Sequence, residues 1–208
     1  MNIAIVTPHI PNTRQRFIEQ RNKLMEQQTR IADIDIIVDM PYNGTMDLPD
    51  RYRIGFEIAF SQGANLALAI EDDDYYAPDY IERMVSEWGL QGMPDMIGID
   101  TTTYYHIGQK AYKTMEHPNR ASMFCTGITE RVMHFDFGKS VWLDILLWGL
   151  PVKKAFCKQP PLALGIKHGE GVCGGSGHKA TYQYEHKDLK GEYLKRITKQ
   201  DYEFYSTY

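Results

Sequence analysis

The hydrophobic pattern of the first part of the chain alternates between strand-like and helix-like spacing. Ile3–Thr7 is a short β-branched run that ends before Pro8, which predicts a buried strand followed by a loop. Large side chains then recur at helical spacing over residues 14–28: Phe17, Ile18, Arg21, Leu24 and Met25. Ile34–Val38 is a second apolar run. This succession of strand, helix and strand predicts a parallel βαβ unit with a right-handed crossover.

The alternation of helix and strand continues as far as Gly92 and then becomes irregular. The predicted elements are helices at Tyr52–Gln62, Asp79–Trp88 and Ser140–Trp148, strands at Leu66–Ile70, Met96–Asp100, Thr102–His106, Gln109–Thr114 and Ser122–Thr126, and a helical tail at Gln183–Tyr205. This pattern predicts an α/β fold whose first half is doubly wound and whose second half is mixed or antiparallel. We expect one domain over residues 1–208, made of a first half (1–92), a second half (93–182) and a tail (183–208).

Four consecutive acids, Glu71-Asp72-Asp73-Asp74, directly follow the predicted strand Leu66–Ile70. Ligands of open α/β sheets bind at the carboxyl ends of strands, which is where this run lies. In an extended backbone Asp72 and Asp74 face the same way, and Asp73 faces the opposite way. Asp72 and Asp74 would therefore hold a hard divalent cation together. We expect Asp74 to be exposed at the strand end. The alternative is a solvated acidic turn that caps the helix beginning at Pro78.

Three stretches of the first half form a wider pattern in this order: TPHIPNTRQRFIEQRNKLMEQQ, IDIIVDM and GANLALAIEDDDYYAPDYIERM. Together they resemble the opening strand and helix, the second strand, and the DxD motif with its Pro-led helix of GT-A glycosyltransferases, closest to the inverting enzymes of family 2. The resemblance implies a GT-A fold, a Rossmann-like sheet with a mixed acceptor-side region. It also implies a UDP-sugar donor held through Mn²⁺ or Mg²⁺, with residues 1–92 binding the donor and residues 93–182 holding the acceptor and catalytic groups.

The resemblance also implies roles for individual residues. It places Asp39 against the nucleobase and assigns Thr7, Asp72 and Asp73 to nucleotide-sugar binding. It gives the metal Asp72 and Asp74, completed by a late histidine, for which His168 is the candidate and His178 the competitor. Position along the chain, rather than the resemblance, assigns Arg14 and Arg53 to the nucleotide, because both lie near element ends on the same edge of the sheet. The alternative is that either is an ordinary surface arginine.

Asp144 is the one charged residue of the segment VWLDILLW, residues 141–148. A carboxylate among Trp142, Leu143 and Ile145 is expected to be partly desolvated, which suits a general base. In the resembling family the corresponding helix holds the catalytic carboxylate, often as an acidic pair. Asp136 is the alternative base. The alternative role for Asp144 is structural, as a carboxylate hydrogen-bonded to a nearby backbone group or arginine. A base at this position implies direct displacement with inversion of the sugar.

A glycine-rich stretch, GIKHGEGVCGGSG, covers Gly165–Gly177. Its glycine density predicts a loop, interpreted either as a lid that orders over bound nucleotide at Gly169–Gly177 or as a plain connection. His168, Cys173 and His178 match no standard zinc spacing and lack a fourth ligand, so we do not expect zinc.

Other functional classes fit the sequence less well. No GxxxxGK[ST] or GxGxxG follows a predicted strand, which argues against a P-loop kinase and a dinucleotide dehydrogenase. A nucleotidyltransferase shares the strand order, but its first loop is normally rich in glycine, whereas TPHIPNTR contains none. A non-catalytic nucleotide-sugar-binding module is the remaining alternative.

Composition and charge bear mainly on the cellular context and the acceptor. No run is long and apolar enough for a membrane helix, and three widely spaced cysteines indicate a reduced, cytoplasmic protein. Residues 151–208 carry 10 Lys and Arg against 6 Asp and Glu, a net +4, so the whole-chain charge of −4 leaves −8 on residues 1–150. The basic tail and the many aromatic residues of the chain suit a nucleic-acid acceptor, such as the hydroxymethylated DNA base used by small phage-encoded transferases. The alternative for the tail is a solvated helical surface. A glycan is the other acceptor we expect.

Overall fold

The structure is a computed structural model that describes residues 1–41, 47–136, 138, 140, 142–160, 162–169 and 184–207. The helices are α1 (Gln15–Glu26), α2 (Leu48–Ser61), α3 (Tyr80–Leu90), α4 (Leu143–Gly149), α5 (Glu192–Thr198) and α6 (Tyr202–Ser206). The strands are β1 (Ile3–His9), β2 (Ile34–Asp39), β3 (Leu66–Ala69), β4 (Tyr75–Tyr76), β5 (Met96–Gly98), β6 (Thr101–His106), β7 (Ala111–Glu116), β8 (Thr126–Ile128), β9 (Lys154–Phe156), β10 (Ala163–Lys167) and β11 (His186–Lys187).

The larger sheet has the strand order β2-β1-β3-β8-β5-β9. Strands β2, β1 and β3 pair in parallel, which confirms the predicted βαβ pattern. Strand β8 runs antiparallel to both of its neighbours, and β9 pairs in parallel with β5. The second half of the chain therefore extends the sheet that the first half begins. The division of the chain at residue 92 stays a prediction.

A second sheet, β11-β7-β6-β10-β4, contains two strands of the mixed region that the sequence predicts, β6 and β7, while β5 and β8 belong to the larger sheet. The pairings of the second sheet are antiparallel except for β6 with β10, which is parallel. Two boundaries predicted from the sequence were wrong, one in each sheet. Ser122–Thr126 was expected to be a strand, but Met123–Cys125 is a 3-10 turn and β8 begins at Thr126. Gly165–Lys167 was expected to open a loop, but it lies in β10 because Leu164 and Ile166 are buried in the core.

The core consists of two apolar clusters of side chains. The cluster that contains Ile3, Leu66 and Leu164 also includes residues of α3, α5 and α6. The cluster that contains Val6, Phe56 and Leu147 includes residues of α2 and α4. Cys125 and Cys157 are buried free thiols, while Cys173 lies outside the described residues. Within the described part of the chain, no helix has the length and apolarity to span a membrane.

Gly55 sets how closely α2 approaches the larger sheet. A Cβ at this position would lie 2.3 Å from Cγ1 of Val6 and 2.9 Å from Cγ2 of Val38. We expect Gly55→Ala to lower the free energy of unfolding by about 1–3 kcal/mol, because overpacking forces the helix away from the strands. The matched control is Gly89→Ala in α3, where a Cβ meets no atom within 4 Å and helix propensity improves. Urea denaturation measures both, and a Gly55→Ala protein as stable as wild type contradicts the prediction.

Candidate active site

The acidic run lies where β3 ends, at the carboxyl edge of the larger sheet, as expected for a ligand site of an open α/β sheet. Residues 72–74 form a bend rather than extended backbone, so side-chain alternation does not apply. Carboxylate oxygens of Glu71, Asp73 and Asp74 consequently lie within 4.8 Å of one another. The expectation that Asp73 faces away from Asp74 was therefore wrong.

Asp72 and Asp73 are held by three basic side chains. Arg14 precedes α1, and its Nη2 lies 2.6 Å from Oδ1 of Asp72 and 2.5 Å from Oδ2 of Asp73. His9, the last residue of β1, lies with Nδ1 2.8 Å from Oδ2 of Asp72. His168 follows β10, and its Nε2 lies 2.8 Å from Oδ2 of Asp73. The structure thus brings Arg14 and His168, two residues predicted for the site, to the acidic run.

Asp74 is 1% exposed, so the expectation that it is exposed was wrong. Strand β10 and helix α6 account for its burial. The backbone N–H of Ile166 donates to Oδ1 of Asp74 at 2.7 Å, and the hydroxyl of Tyr205 donates to the Asp74 carbonyl at 3.1 Å. The second carboxylate oxygen, Oδ2, has no hydrogen-bond partner among the described residues.

The proximity of these acids and cations shifts their pKa values in opposite directions. Burial, with repulsion from Asp73, raises the pKa of Glu71 to about 7. Burial likewise raises the pKa of Asp74 well above its ordinary value, and Asp73 adds to the shift. For Asp73 the attraction of Arg14 and the hydrogen bond from His168 outweigh burial and lower the pKa. The pKa of Lys167 is raised because Asp74 and Glu71 outweigh the effect of its burial.

These features fit a hard divalent cation. Mg²⁺ and Mn²⁺ prefer carboxylate oxygens, and three of them converge here from Glu71, Asp73 and Asp74. A buried carboxylate oxygen without a partner, such as Oδ2 of Asp74, is costly unless a ligand satisfies it. Both oxygens of Asp72 already contact basic side chains, those of Arg14 and His9. Its assignment as a metal ligand stays a prediction, and the geometry favours the other three acids.

One cleft connects the acidic run to the predicted general base. Its lining includes Glu71 and Lys167 on the side of the acidic run, and Arg120 and Asp144 on the side of α4. Lys167 is the last residue of β10, is buried, and lies with Nζ 5.1 Å from the ring centre of Tyr104. A positively charged group and a carboxylate therefore face the same space from different elements.

Asp144 lies in the first turn of α4, beside the buried Leu143. It is mostly buried, and Nη1 of Arg120 donates to its Oδ2. An arginine partner is what we expect if Asp144 has a structural role rather than a catalytic one. Trp142 and Ile145, expected to desolvate the carboxylate, are instead half exposed. Asp144 nevertheless lines the cleft, so its role as a base stays a prediction.

The remaining predicted residues lie in different surroundings. Thr7 is buried in β1 and accepts a hydrogen bond of 3.0 Å from Nε of Arg21, and Asp39 is exposed at the end of β2. Arg53 pairs with Glu57 at 2.8 Å and with Asp50 at 3.8 Å on its own helix, so these contacts do not bring it to the acidic run.

Asp136, the alternative base, is exposed and accepts a hydrogen bond of 2.9 Å from the N–H of Gly138. His178 and all of the predicted lid except Gly169 lie outside the described residues.

Sequence reasoning missed His9, Lys167 and Arg120. His9 ends β1 at the same sheet edge as the acidic run, so the rule that located the acids could also have found it. Lys167 was hidden because the glycine-rich stretch was interpreted as a loop from Gly165 onward. No local signal links Arg120 to Asp144, because their contact depends on how α4 packs.

Sequence comparisons find no relative: no family model matches the chain, and no curated protein matches it. Solved structures do match. The crystal structure of A197 from STIV has a TM-score of 0.51 and 11% identity, and the match covers 75% of this chain and 81% of that one. The structure of S. aureus TarS 1-349 in complex with UDP-GlcNAc has a TM-score of 0.56 and 13% identity, and covers 88% of this chain and 62% of that one.

The same TarS fragment in complex with UDP gives a TM-score of 0.55 at 9% identity, covering 80% of this chain and 60% of that one. The chain has the GT-A fold. This confirms the fold class predicted from the sequence. The chain spans about three fifths of the TarS fragment, and identities this low show the fold alone.

Proposed function

We propose that this chain is a metal-dependent glycosyltransferase that moves a sugar from a UDP-sugar to an acceptor hydroxyl, with inversion. The observation that supports it best is a single cleft with Glu71, beside the buried Asp73 and Asp74, on one side and Asp144 on the other. Inverting transfer needs this separation, because the diphosphate leaves from one face of the sugar and the acceptor attacks from the other. The likeness to TarS, solved with UDP and with UDP-GlcNAc, supports the choice of donor.

The acidic side of the cleft is the donor side. Glu71, Asp73 and Asp74, joined by His168, would hold the divalent cation. The cation, when bound, neutralises the charge of the diphosphate. Arg14 and Lys167 add positive charge from the protein itself, because both lie beside the acids and both are kept protonated by them. His9 fixes Asp72, which positions Arg14 between the two carboxylates that it contacts.

Asp144 acts on the acceptor side. Its carboxylate accepts the proton of the acceptor hydroxyl while the oxygen attacks the anomeric carbon of the donor sugar. The bond between that carbon and the diphosphate oxygen breaks on the opposite face, and UDP leaves toward Arg14 and Lys167. Arg120 holds the Asp144 carboxylate in a fixed position, so that little reorganisation is needed when the proton moves.

The proposal is tested by measuring release of UDP from a panel of UDP-sugars, with Mn²⁺ and with a chelator. We expect release from at least one UDP-sugar, abolished by the chelator, since water can replace the acceptor when none is added. The same protein, given a nucleoside triphosphate and a sugar phosphate, should release no pyrophosphate. Pyrophosphate release would indicate a nucleotidyltransferase, and tight binding of UDP-sugar with no release of UDP under any condition would indicate a non-catalytic module.

A further inference from the structure

A second cavity opens on the acceptor side of the cleft. It has a volume of about 330 Å³, and its lining includes His117, Asn119, Arg120 and Ile145. His117 and Arg120 also line the main cleft, so the cavity adjoins the space in front of Asp144. Small-molecule sites typically occupy about 300–1,000 Å³, so the cavity has room for one compact group.

His117 lines this region and carries a buried polar atom without a partner in the described part of the chain. The residue is 6% exposed, and its Nε2 has no hydrogen-bond partner among the described residues. Burial and the nearby Arg120 lower the pKa of His117, so its imidazole is neutral near pH 7. A neutral imidazole nitrogen pairs well with a hydroxyl group, which can either donate or accept.

The charge of the cavity does not suit a phosphate-rich ligand. Among the residues that the structure describes, its lining contains one permanent cation, Arg120, and that guanidinium is already paired with Asp144. Binding of a nucleic-acid backbone depends on cations that are available to phosphate. The main cleft, which Trp142 lines, adds Lys113 and Lys167, but Lys113 pairs with Glu185 at 3.7 Å and Lys167 is buried beside Asp74 and Glu71. The two adjoining spaces therefore favour an uncharged ligand with hydroxyl groups.

The exposed side chains of α4 supply apolar surface beside these polar atoms. Trp142 is 52% exposed and lines the main cleft, and Ile145 is 49% exposed and lines the second cavity. The two residues are three positions apart, and the N–H of Ile145 donates to the Trp142 carbonyl at 3.1 Å, so they lie on the same side of the helix. A large indole that stays exposed at the mouth of a cleft offers a flat face for stacking.

We propose that His117, Asn119 and Trp142 form a subsite for a neutral sugar ring of the acceptor, which makes the acceptor a glycan rather than a nucleic acid. A pyranose has the matching chemistry, because its C–H face is apolar and its rim carries hydroxyls. The indole of Trp142 covers the ring face, and His117 and Asn119 contact the hydroxyls. The inference rests on the proposed function only in calling the bound sugar the acceptor. Binding of the sugar at this subsite can be measured without any donor.

The test uses the three tryptophans of the chain as probes in donor-free protein. Trp88 and Trp148 are each 4% exposed, so acrylamide quenches mainly Trp142. The ligands are the neutral disaccharides cellobiose, maltose and chitobiose, with glucose 6-phosphate and a short oligothymidylate for comparison. We expect at least one neutral disaccharide to protect Trp142 from quenching, equally with and without Mn²⁺, and the two charged ligands to give no protection.

Variants decide whether the protection comes from this subsite. His117→Ala should weaken binding of the protecting disaccharide about tenfold, and His117→Gln, which keeps a polar group, should weaken it less. By saturation-transfer NMR, Trp142→Ala should lose about tenfold in affinity and Trp142→Phe much less, because a ring face remains. Leu189→Ala changes an exposed apolar residue elsewhere and should have no effect.

Three outcomes overturn the proposal: no neutral disaccharide protects Trp142, protection is unchanged in His117→Ala, or the oligothymidylate protects and the sugars do not. The last outcome would restore the nucleic-acid acceptor. Failure of the proposed function looks different, because it leaves sugar binding intact while no UDP-sugar releases UDP. If UDP is released but no sugar binds, the transferase stands and this subsite does not.

Discussion

Asp74→Asn is expected to abolish the metal-dependent part of UDP binding while the protein stays folded. The substitution keeps the size of the side chain and the acceptor oxygen that Ile166 requires. It removes the negative charge and replaces one oxygen of a buried carboxylate that lies within 4.8 Å of its acidic neighbours. Loss of a residue that only supports a metal ligand typically costs about 10- to 100-fold in affinity, and loss of a ligand should cost at least about 100-fold.

Calorimetry of UDP binding in the presence of Mn²⁺ measures this effect. The control is Asp79→Asn. Asp79 is a half-exposed acid that pairs with Arg83, four residues later, at 3.4 Å, and its substitution should leave the affinity for UDP unchanged. Circular dichroism must show that Asp74→Asn is folded, because the site is buried. A folded Asp74→Asn protein with wild-type affinity for UDP and Mn²⁺ would remove Asp74 from the metal site.

Asp144→Asn is expected to cut turnover by a factor on the order of 10²–10⁴, the usual contribution of a general base, and to leave UDP binding nearly unchanged. Asparagine keeps the shape of the carboxylate but accepts a proton very poorly. The donor side should be unaffected, because Asp144 lies on α4, across the cleft from the acidic run.

The comparison is with Asp136→Asn, the alternative base, whose carboxylate is exposed and hydrogen-bonded to the N–H of Gly138. Initial rates and UDP affinity should be measured for both variants. Parallel losses of binding and rate in Asp144→Asn, or a large loss of stability, would identify its ion pair with Arg120 as structural. A rate loss confined to Asp136→Asn would transfer the role of base to that residue.

The sequence predicted the parts of the fold that depend on local pattern. The spacing of Phe17, Ile18, Leu24 and Met25 located α1, and all four are buried. The acidic run was found at the carboxyl edge of the sheet because it follows a buried strand directly, and this edge is where open α/β sheets bind ligands. Neither conclusion requires knowledge of distant contacts.

Predictions failed where a distant element decides the local geometry. Asp74 is buried because Ile166 of β10 and Tyr205 of α6 contact it. The sequence near residue 74 does not predict these distant contacts. Side-chain alternation assumed a strand where the backbone bends, so it wrongly turned Asp73 away from Asp74. Glycine density suggested a loop at Gly165, but a glycine is needed there because a Cβ would lie 2.5 Å from Cδ1 of Tyr104.

The contact between Tyr205 and Asp74 joins positions 131 residues apart, and the one between Asp201 and Gln20 joins positions 181 apart. Closing such long loops costs entropy before the contacts return any free energy, whereas β1 and β2 are joined by a short crossover. We therefore expect the parallel strands to assemble first and α6 to dock last. We expect the acidic run to stay open to solvent until α6 docks, so that the burial of Asp74 is a late event of folding.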